Sequence, residues 1–117
     1  MKTISVNGYT FQCRYNDSRS GFSHTCSLIK EGELLSEAKL NYLNRTWESY
    51  TYQSVMREAV WKLIIQKEKD FLDEYKKENG LGRLSKDHKR KALSIFYLQP
   101  EIKELEELTK NLKDNLY

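Results

Sequence analysis

The sequence predicts an α+β domain in which an N-terminal antiparallel sheet of three to four strands packs on one long helix, followed by two shorter helices. Three observations predict this class. Residues 1–45 contain alternating segments around turn-forming dipeptides, residues 49–79 repeat apolar side chains at steps of three and four, and residues 85–117 contain two further helical patterns. The length of 117 residues suits one domain, which we place at 1–117.

The first hairpin is predicted from Asn7-Gly8, because a type I′ turn needs positive φ at both central residues. A two-residue loop at this position puts four side chains on one face of the sheet. These side chains are Ile4, Val6, Tyr9 and Phe11. We expect Cys13 to extend that face.

A second hairpin is expected from Phe22–Lys30 and Glu33–Leu43, with its turn at Glu31-Gly32. Residues 16–21 between the two hairpins are turn formers and are predicted to be a polar loop. The alternation of the second hairpin is poorer, so the pattern predicts its strands but leaves their register open.

The long helix is predicted from one wide apolar face within residues 49–79. The residues on this face are Tyr52, Val55, Met56, Ala59, Val60, Leu63 and Ile64. Trp61 lies outside the face, and we expect it to cover the edge of the core rather than bind a partner. Asn79-Gly80 then supplies a left-handed C-terminal stop.

Two shorter helices follow. Ser85 is predicted to cap a helix over residues 86–98, which docks through Ala92, Leu93 and Phe96. Pro100 suits the first turn of the last helix. Four apolar residues then recur near heptad spacing: Ile102, Leu105, Leu112 and Leu116. This stripe either closes the core or meets a partner helix, and we favour closure because isolated helices of this length are marginal.

One segment concentrates positive charge. Residues 83–91 have a net charge of +4, against +3 for the whole chain. Clustered Lys and Arg gain by releasing counterions from nucleic acid, so these residues are candidate phosphate contacts. They are Arg83, Lys86, Lys89, Arg90 and Lys91. The alternative is a solvated helix face, which the absence of RNA-binding and helix-turn-helix motifs favours.

Catalytic and metal-binding chemistry has little support in the sequence. It contains no nucleophile elbow, P-loop, dinucleotide fingerprint or zinc-protease motif, so we expect no enzyme. Cys13 and Cys26 lie in separate predicted strands and are expected to be half-buried thiols, without the paired spacing of a zinc site. We therefore expect no cofactor. With no apolar run of bilayer length and no signal-peptide pattern, the default expectation is a cytoplasmic protein with no membrane contact.

A resemblance comes from the middle third of the chain. Asn44-Arg45-Thr46-Trp47-Glu48, followed by Tyr50, residues 52–55 and an Ala-containing helix, resembles a motif of small phage- and plasmid-encoded proteins of Gram-positive bacteria. Some inhibitors of CRISPR immunity come from the same genetic setting and are similar in size and in their strand-then-helix layout. The resemblance assigns no catalytic or binding residue.

The function implied is a non-enzymatic inhibitor that binds a host RNA-guided nuclease or its guide RNA, as a monomer or a homodimer. Either the basic segment contacts RNA, or the acidic last helix enters a basic nucleic-acid channel. The candidate partner contacts are Arg45, Trp47, Glu48, Glu104 and Glu107. The alternatives are an accessory nucleic-acid-binding protein of phage or plasmid, and a structural protein in which the C-terminal Leu stripe joins two copies.

Overall fold

The computed structural model describes residues 1–18, 21–42 and 52–114, in which four strands precede three helices. The strands are β1 Lys2–Val6, β2 Tyr9–Ser18, β3 Gly21–Lys30 and β4 Glu33–Tyr42. The helices are α1 Tyr52–Glu78, α2 Lys86–Phe96 and α3 Pro100–Asp114. The strands form one antiparallel sheet in the order β1-β2-β3-β4, which confirms the predicted α+β class. Within these ranges, no helix combines the length and the apolar character that crossing a bilayer requires.

The β1–β2 hairpin follows the prediction in both turn and register. Asn7 has φ 52° and Gly8 has φ 83°, as a type I′ turn requires. Val6 is paired with Tyr9, and Ile4 with Phe11. Tyr9 and Phe11 are buried, and Ile4 and Val6 pack against the core from the edge strand.

The predicted loop at residues 16–21 is wrong for residues 16–18 and 21, which belong to strands, whereas residues 19–20 lie outside the described residues. β2 continues to Ser18 and β3 begins at Gly21, with Asn16 paired to Ser23 across the ladder. The turn preference of Asn, Asp and Ser comes from local hydrogen bonds between side chain and backbone, and pairing with a neighbouring strand competes with those bonds. Here the ladder prevails over the local preference.

The β3–β4 hairpin contains the predicted turn and an irregularity that explains its poor alternation. Glu31 has φ 52° and Gly32 has φ 79°, so the turn is again of the two-residue kind. Leu28 is paired with Ser36 but Ile29 with Leu34, which leaves Leu35 as one extra residue in β4. Leu35 packs against the core, whereas Leu34 is exposed.

The long helix α1 buries the face that the sequence predicts. Its buried residues are Val55, Met56, Ala59, Val60, Leu63 and Ile64, and Tyr52 packs against them while partly exposed. Trp61 retains 51% of its surface in solvent, more than we expected of a residue that covers the edge of the core. The Ser36 hydroxyl donates a 2.6 Å hydrogen bond to the Ala59 carbonyl, which ties β4 to the helix.

Helix α3 closes the core, as favoured from the sequence. It packs beside α1 and against β1, and its buried residues are Ile102, Leu105, Leu108 and Leu112. The sequence stripe omitted Leu108 and included Leu116, which lies outside the described residues. Joining two copies through this stripe would need exposed leucines, and Leu105 and Leu112 are each only 1% exposed.

Candidate nucleic-acid interface

The corner between α1 and α2 is built by a glycine stop. Gly80 has φ 62°, and the Leu81 amide donates to the Lys76 carbonyl at 2.8 Å while the Gly80 amide donates to Lys77 at 3.2 Å. This pair of bonds is the Schellman motif, which satisfies the last carbonyls of a helix. It ends α1 at the predicted place and turns the chain towards the basic segment.

Ser85 starts α2 as predicted. Its hydroxyl oxygen accepts the His88 amide at 3.2 Å and lies 3.0 Å from Nδ1 of the same residue. A side-chain oxygen at this position replaces an amide partner that the first helical turn lacks. The cap therefore fixes where the helix begins, and with it the direction of its first turn.

The C-terminal half of α2 anchors the helix on α1. Ala92 and Phe96 are buried, and the Phe96 ring packs on Phe71 at 5.5 Å and on Tyr97 at 5.0 Å between centroids. The Tyr97 hydroxyl donates to Glu68 at 3.0 Å. Burial raises the pKa of Tyr97, and the hydrogen bond to Glu68 raises it further. The second half of α1 thus supports α2.

The basic residues lie on the N-terminal half of α2 and in the connector just before it, and all of them are exposed. This set is Arg83, Lys86, Lys89, Arg90 and Lys91. Helical residues are about 100° apart around the axis, so Lys86, Lys89 and Arg90 fall within one arc of about 100°. We call these three residues with Arg83 the basic surface. None of them forms an ion pair with another residue in the described part of the chain.

Lys91 belongs to a different side of α2. It follows Asp87 by one turn, a spacing at which opposite charges on a helix are neighbours. On the helical wheel it is about 100° from Arg90, the nearest of the three cations. Helical geometry therefore places three of the five residues chosen from the sequence within one arc, with Arg83 two residues before the Ser85 cap, and it separates Lys91 from them.

The structure adds residues of α1 that the sequence analysis did not select. A groove at the corner is lined by Asp73, Lys76, Lys77, Leu81 and Gly82, and Arg83 follows directly. Lys76 is 3.6 Å from Asp73, whereas Lys77 is exposed and has no ion pair with a described residue. Cations in the last turn of a helix are favoured by its dipole, so the presence of lysines there does not by itself indicate a binding role.

Two acidic residues of α3, Glu101 and Glu104, form ion pairs with the rest of the fold. Glu104 pairs with Lys30 at 3.2 Å, and Lys30 also donates to the Tyr9 hydroxyl at 3.5 Å and lies 4.6 Å from the centre of its ring. The bond to Glu104 raises the pKa of Lys30, and burial raises the pKa of Tyr9. Glu101 pairs with Lys67 at 2.6 Å.

The remaining candidate partner contacts divide into two groups. Glu107 is exposed on α3, and its side chain has no hydrogen bond or ion pair to another described residue. Arg45, Trp47 and Glu48 lie outside the described residues, so their proposed roles stay predictions from the sequence.

The inner face of the sheet holds two cysteines and a histidine. Cys13 and Cys26 are fully buried rather than half-buried, because α1 packs on β2 and β3. Their sulfurs are 3.4 Å apart. His24 packs between Tyr15 and Tyr52, with ring centroids at 5.1 and 5.0 Å, and burial lowers its pKa. Among the described residues, no group of three Cys, His, Asp or Glu side chains is placed to hold a metal ion.

Comparison of the chain with protein-family models, with curated proteins and with solved structures gives no match.

Proposed function

We propose that this chain is a non-enzymatic protein that binds nucleic-acid phosphates through the basic surface of α2. The observation that carries the proposal is the exposure of Arg83, Lys86, Lys89 and Arg90 at one corner, without an ion pair to any described residue. Exposed cations gain free energy by displacing counterions from a polyanion, and each contributes to the salt dependence of binding.

The placement of lysines at the amino end of α2 does not stabilise the fold. The amino end of a helix carries partial positive charge, so Lys86 and Lys89 in the first turn of α2 oppose its dipole. Asp87 is the acidic residue in that turn and offsets them only in part. Residues that lower the stability of a helix without forming a stabilising contact are expected on surfaces that serve binding.

The rival mechanism, in which acidic α3 imitates nucleic acid, has less support. Glu101 and Glu104 are engaged with Lys67 and Lys30, so presenting them to a basic channel would break contacts between α3 and the rest of the fold. The basic surface needs no such rearrangement. We therefore assign the contact to cations of this chain and phosphates of the target.

The target class follows from the resemblance of residues 44–55 to phage and plasmid proteins. In that setting, the basic surface would block an RNA-guided nuclease by occupying the phosphates of its guide RNA. Binding of free nucleic acid during replication of the element is the alternative, and it uses the same surface. Only the first function depends on the loaded nuclease.

A gel-shift titration at two salt concentrations tests the surface. The probes are single-stranded RNA, duplex DNA and a guide-loaded nuclease. We expect Lys86→Glu, Lys89→Glu and Arg90→Glu together to abolish binding. The matched control reverses three exposed lysines elsewhere, Lys39, Lys69 and Lys103, and changes net charge equally. Variants with only one or two of these charge reversals should still bind, and the slope of log K against log salt concentration should fall in magnitude by about 0.7–0.9 for each lost contact. Undiminished binding by the α2 variant would exclude the basic surface.

A cleavage assay separates the two targets. For the inhibitor, the chain in excess stops target cleavage by the loaded nuclease, and the α2 variant restores cleavage. For the accessory protein, cleavage continues while free RNA or DNA is bound. Full cleavage by several nucleases, together with tight binding of free nucleic acid, would assign the protein to the second class.

A further inference from the structure

Cys13 and Cys26 face each other directly across β2 and β3. They are partners in the ladder, their sulfurs are 3.4 Å apart, and their exposed fractions are 0% and 2%. Both are free thiols. No part of the proposed nucleic-acid surface uses them, so this pair needs its own explanation.

The register makes the two cysteines a non-hydrogen-bonded pair, in which the Cα atoms are closer than in a hydrogen-bonded pair. Val6 and Tyr9 flank a two-residue turn and therefore form a hydrogen-bonded pair, and the alternation along β2 makes Cys13 bond to Lys2 in β1. Towards β3, Cys13 and Cys26 are then a non-hydrogen-bonded pair, for which the Cα atoms are about 4.5 Å apart. A disulfide requires about 4.4–6.8 Å, so the backbone already meets that condition.

We propose that Cys13 and Cys26 are a redox modification site, which peroxide converts reversibly into a cross-strand disulfide within one chain. The thiolate of one cysteine attacks a peroxide oxygen, giving a sulfenic acid and releasing water once a proton is taken up. The second sulfur displaces water from the sulfenic sulfur and forms the S–S bond. In total, two thiols and one hydrogen peroxide give one disulfide and two waters.

The surroundings support Cys13 as the sulfur that reacts first. The hydrogen bond between the two sulfurs lowers the pKa of Cys13, and the charge of Lys2 lowers it further, whereas the pKa of Cys26 is raised by the same hydrogen bond and by burial. Because both thiols are covered, peroxide reaches them through local opening of the sheet, and the reaction is slow. The bond then joins β2 to β3 across the intervening residues 14–25 and restricts the unfolded chain.

Intact mass of the full chain tests the proposal directly. The fully reduced native protein is treated with hydrogen peroxide, then unfolded in an alkylating reagent. We expect a mass lower by about 2 Da, no alkylated cysteine, and full recovery of both thiols after dithiothreitol. The oxidised protein should also show a rise in Tm on the order of 10 °C. Cys13→Ser and Cys26→Ser provide the matched controls, since each leaves a single thiol and cannot lose 2 Da.

Three results would overturn the proposal. Two alkylated thiols after prolonged peroxide treatment would show an inert buried pair. A covalent dimer would show that the reaction occurs between chains, and stepwise addition of oxygen would show that the second sulfur does not capture the sulfenic acid. The measurement uses no nucleic acid, so its outcome is independent of the proposed function.

Discussion

His24 is a buried histidine whose surroundings disfavour its charged form. It is 6% exposed and packs between Tyr15 and Tyr52, and the Lys2 ammonium lies 5.3 Å from the centre of the Tyr52 ring. Burial lowers its pKa in the folded protein below the value of the unfolded chain, which is about 6.5. As pH falls, the unfolded chain therefore takes up this proton first.

The sign of the resulting pH dependence follows from linkage. Stability is full above the unfolded pKa, falls as pH drops below about 6.5, and levels off below the lower folded pKa. We expect urea unfolding to show this loss between about pH 7 and pH 5. His24→Gln should remove that component, whereas His88→Gln, at an exposed position on α2, is the matched control. Parallel profiles for wild type and His24→Gln would contradict the expectation.

Residue-scale features were predictable where one side chain determines local geometry. Asn7-Gly8 and Gly80 adopt the positive φ values that their turns need, and Ser85 caps α2. Each of these features depends on interactions between residues only a few positions apart, so the local sequence is enough to predict it. The pairing of Cys13 with Cys26 was not predicted, because it depends on the register of β2 with β3.

At the scale of elements, α3 is the helix whose burial can be tested most simply. Leu108 is 0% exposed in the core that α3 closes, whereas Leu98 is 66% exposed just after α2. Leu108→Ala should lower the free energy of unfolding by about 2–5 kcal/mol, because it removes buried methyl groups and leaves a cavity. Leu98→Ala is the same truncation at an exposed site and should change it by less than about 0.5 kcal/mol. Urea unfolding measures both, and equal effects would mean that α3 does not close the core.

The elements themselves were largely predictable, whereas their contacts were not. The apolar face of α1 repeats over several turns, so its period identifies it without knowledge of the partner. α3 contacts both α1 and the sheet and buries a wider face, so Leu108 was missed by a reading based on heptad spacing. The bulge at Leu35 arises from the pairing of β4 with β3, so it could not be predicted from the sequence of β4 alone.

The candidate site shows the same division. The charge of residues 83–91 was evident from sequence, but helical geometry separates Lys91 from the others. Lys77 joins the corner because Gly80 turns the chain sharply, a relation between α1 and the connector rather than a local pattern. The ion pairs of Glu101 and Glu104 join residues far apart in sequence, so they could not be predicted. They weaken the mechanism in which α3 imitates nucleic acid.

At the scale of the whole molecule, some charged residues form ion pairs within the fold and others do not. Two acids of α3, Glu104 and Glu101, pair with Lys30 of β3 and Lys67 of α1, and these ion pairs help to hold the layers together. The basic surface of α2 has no such counterpart among the described residues. Partly exposed pairs of this kind contribute at most about 1 kcal/mol each, so they orient α3 more than they stabilise it. Packing of the apolar core carries the stability.

That core predicts how the molecule unfolds. One cluster of buried residues includes members of β2, β3, β4 and all three helices. No layer can separate without exposing apolar surface of the others, and single domains of this size generally unfold in one step. We therefore expect far-UV circular dichroism and tryptophan fluorescence to give the same urea midpoint. Trp47→Phe leaves Trp61 of α1 as the single fluorescent reporter, and the dichroism of the parent chain controls for the substitution. Separate midpoints would show that α1 unfolds independently of the remaining secondary structure and that the layers are not one cooperative unit.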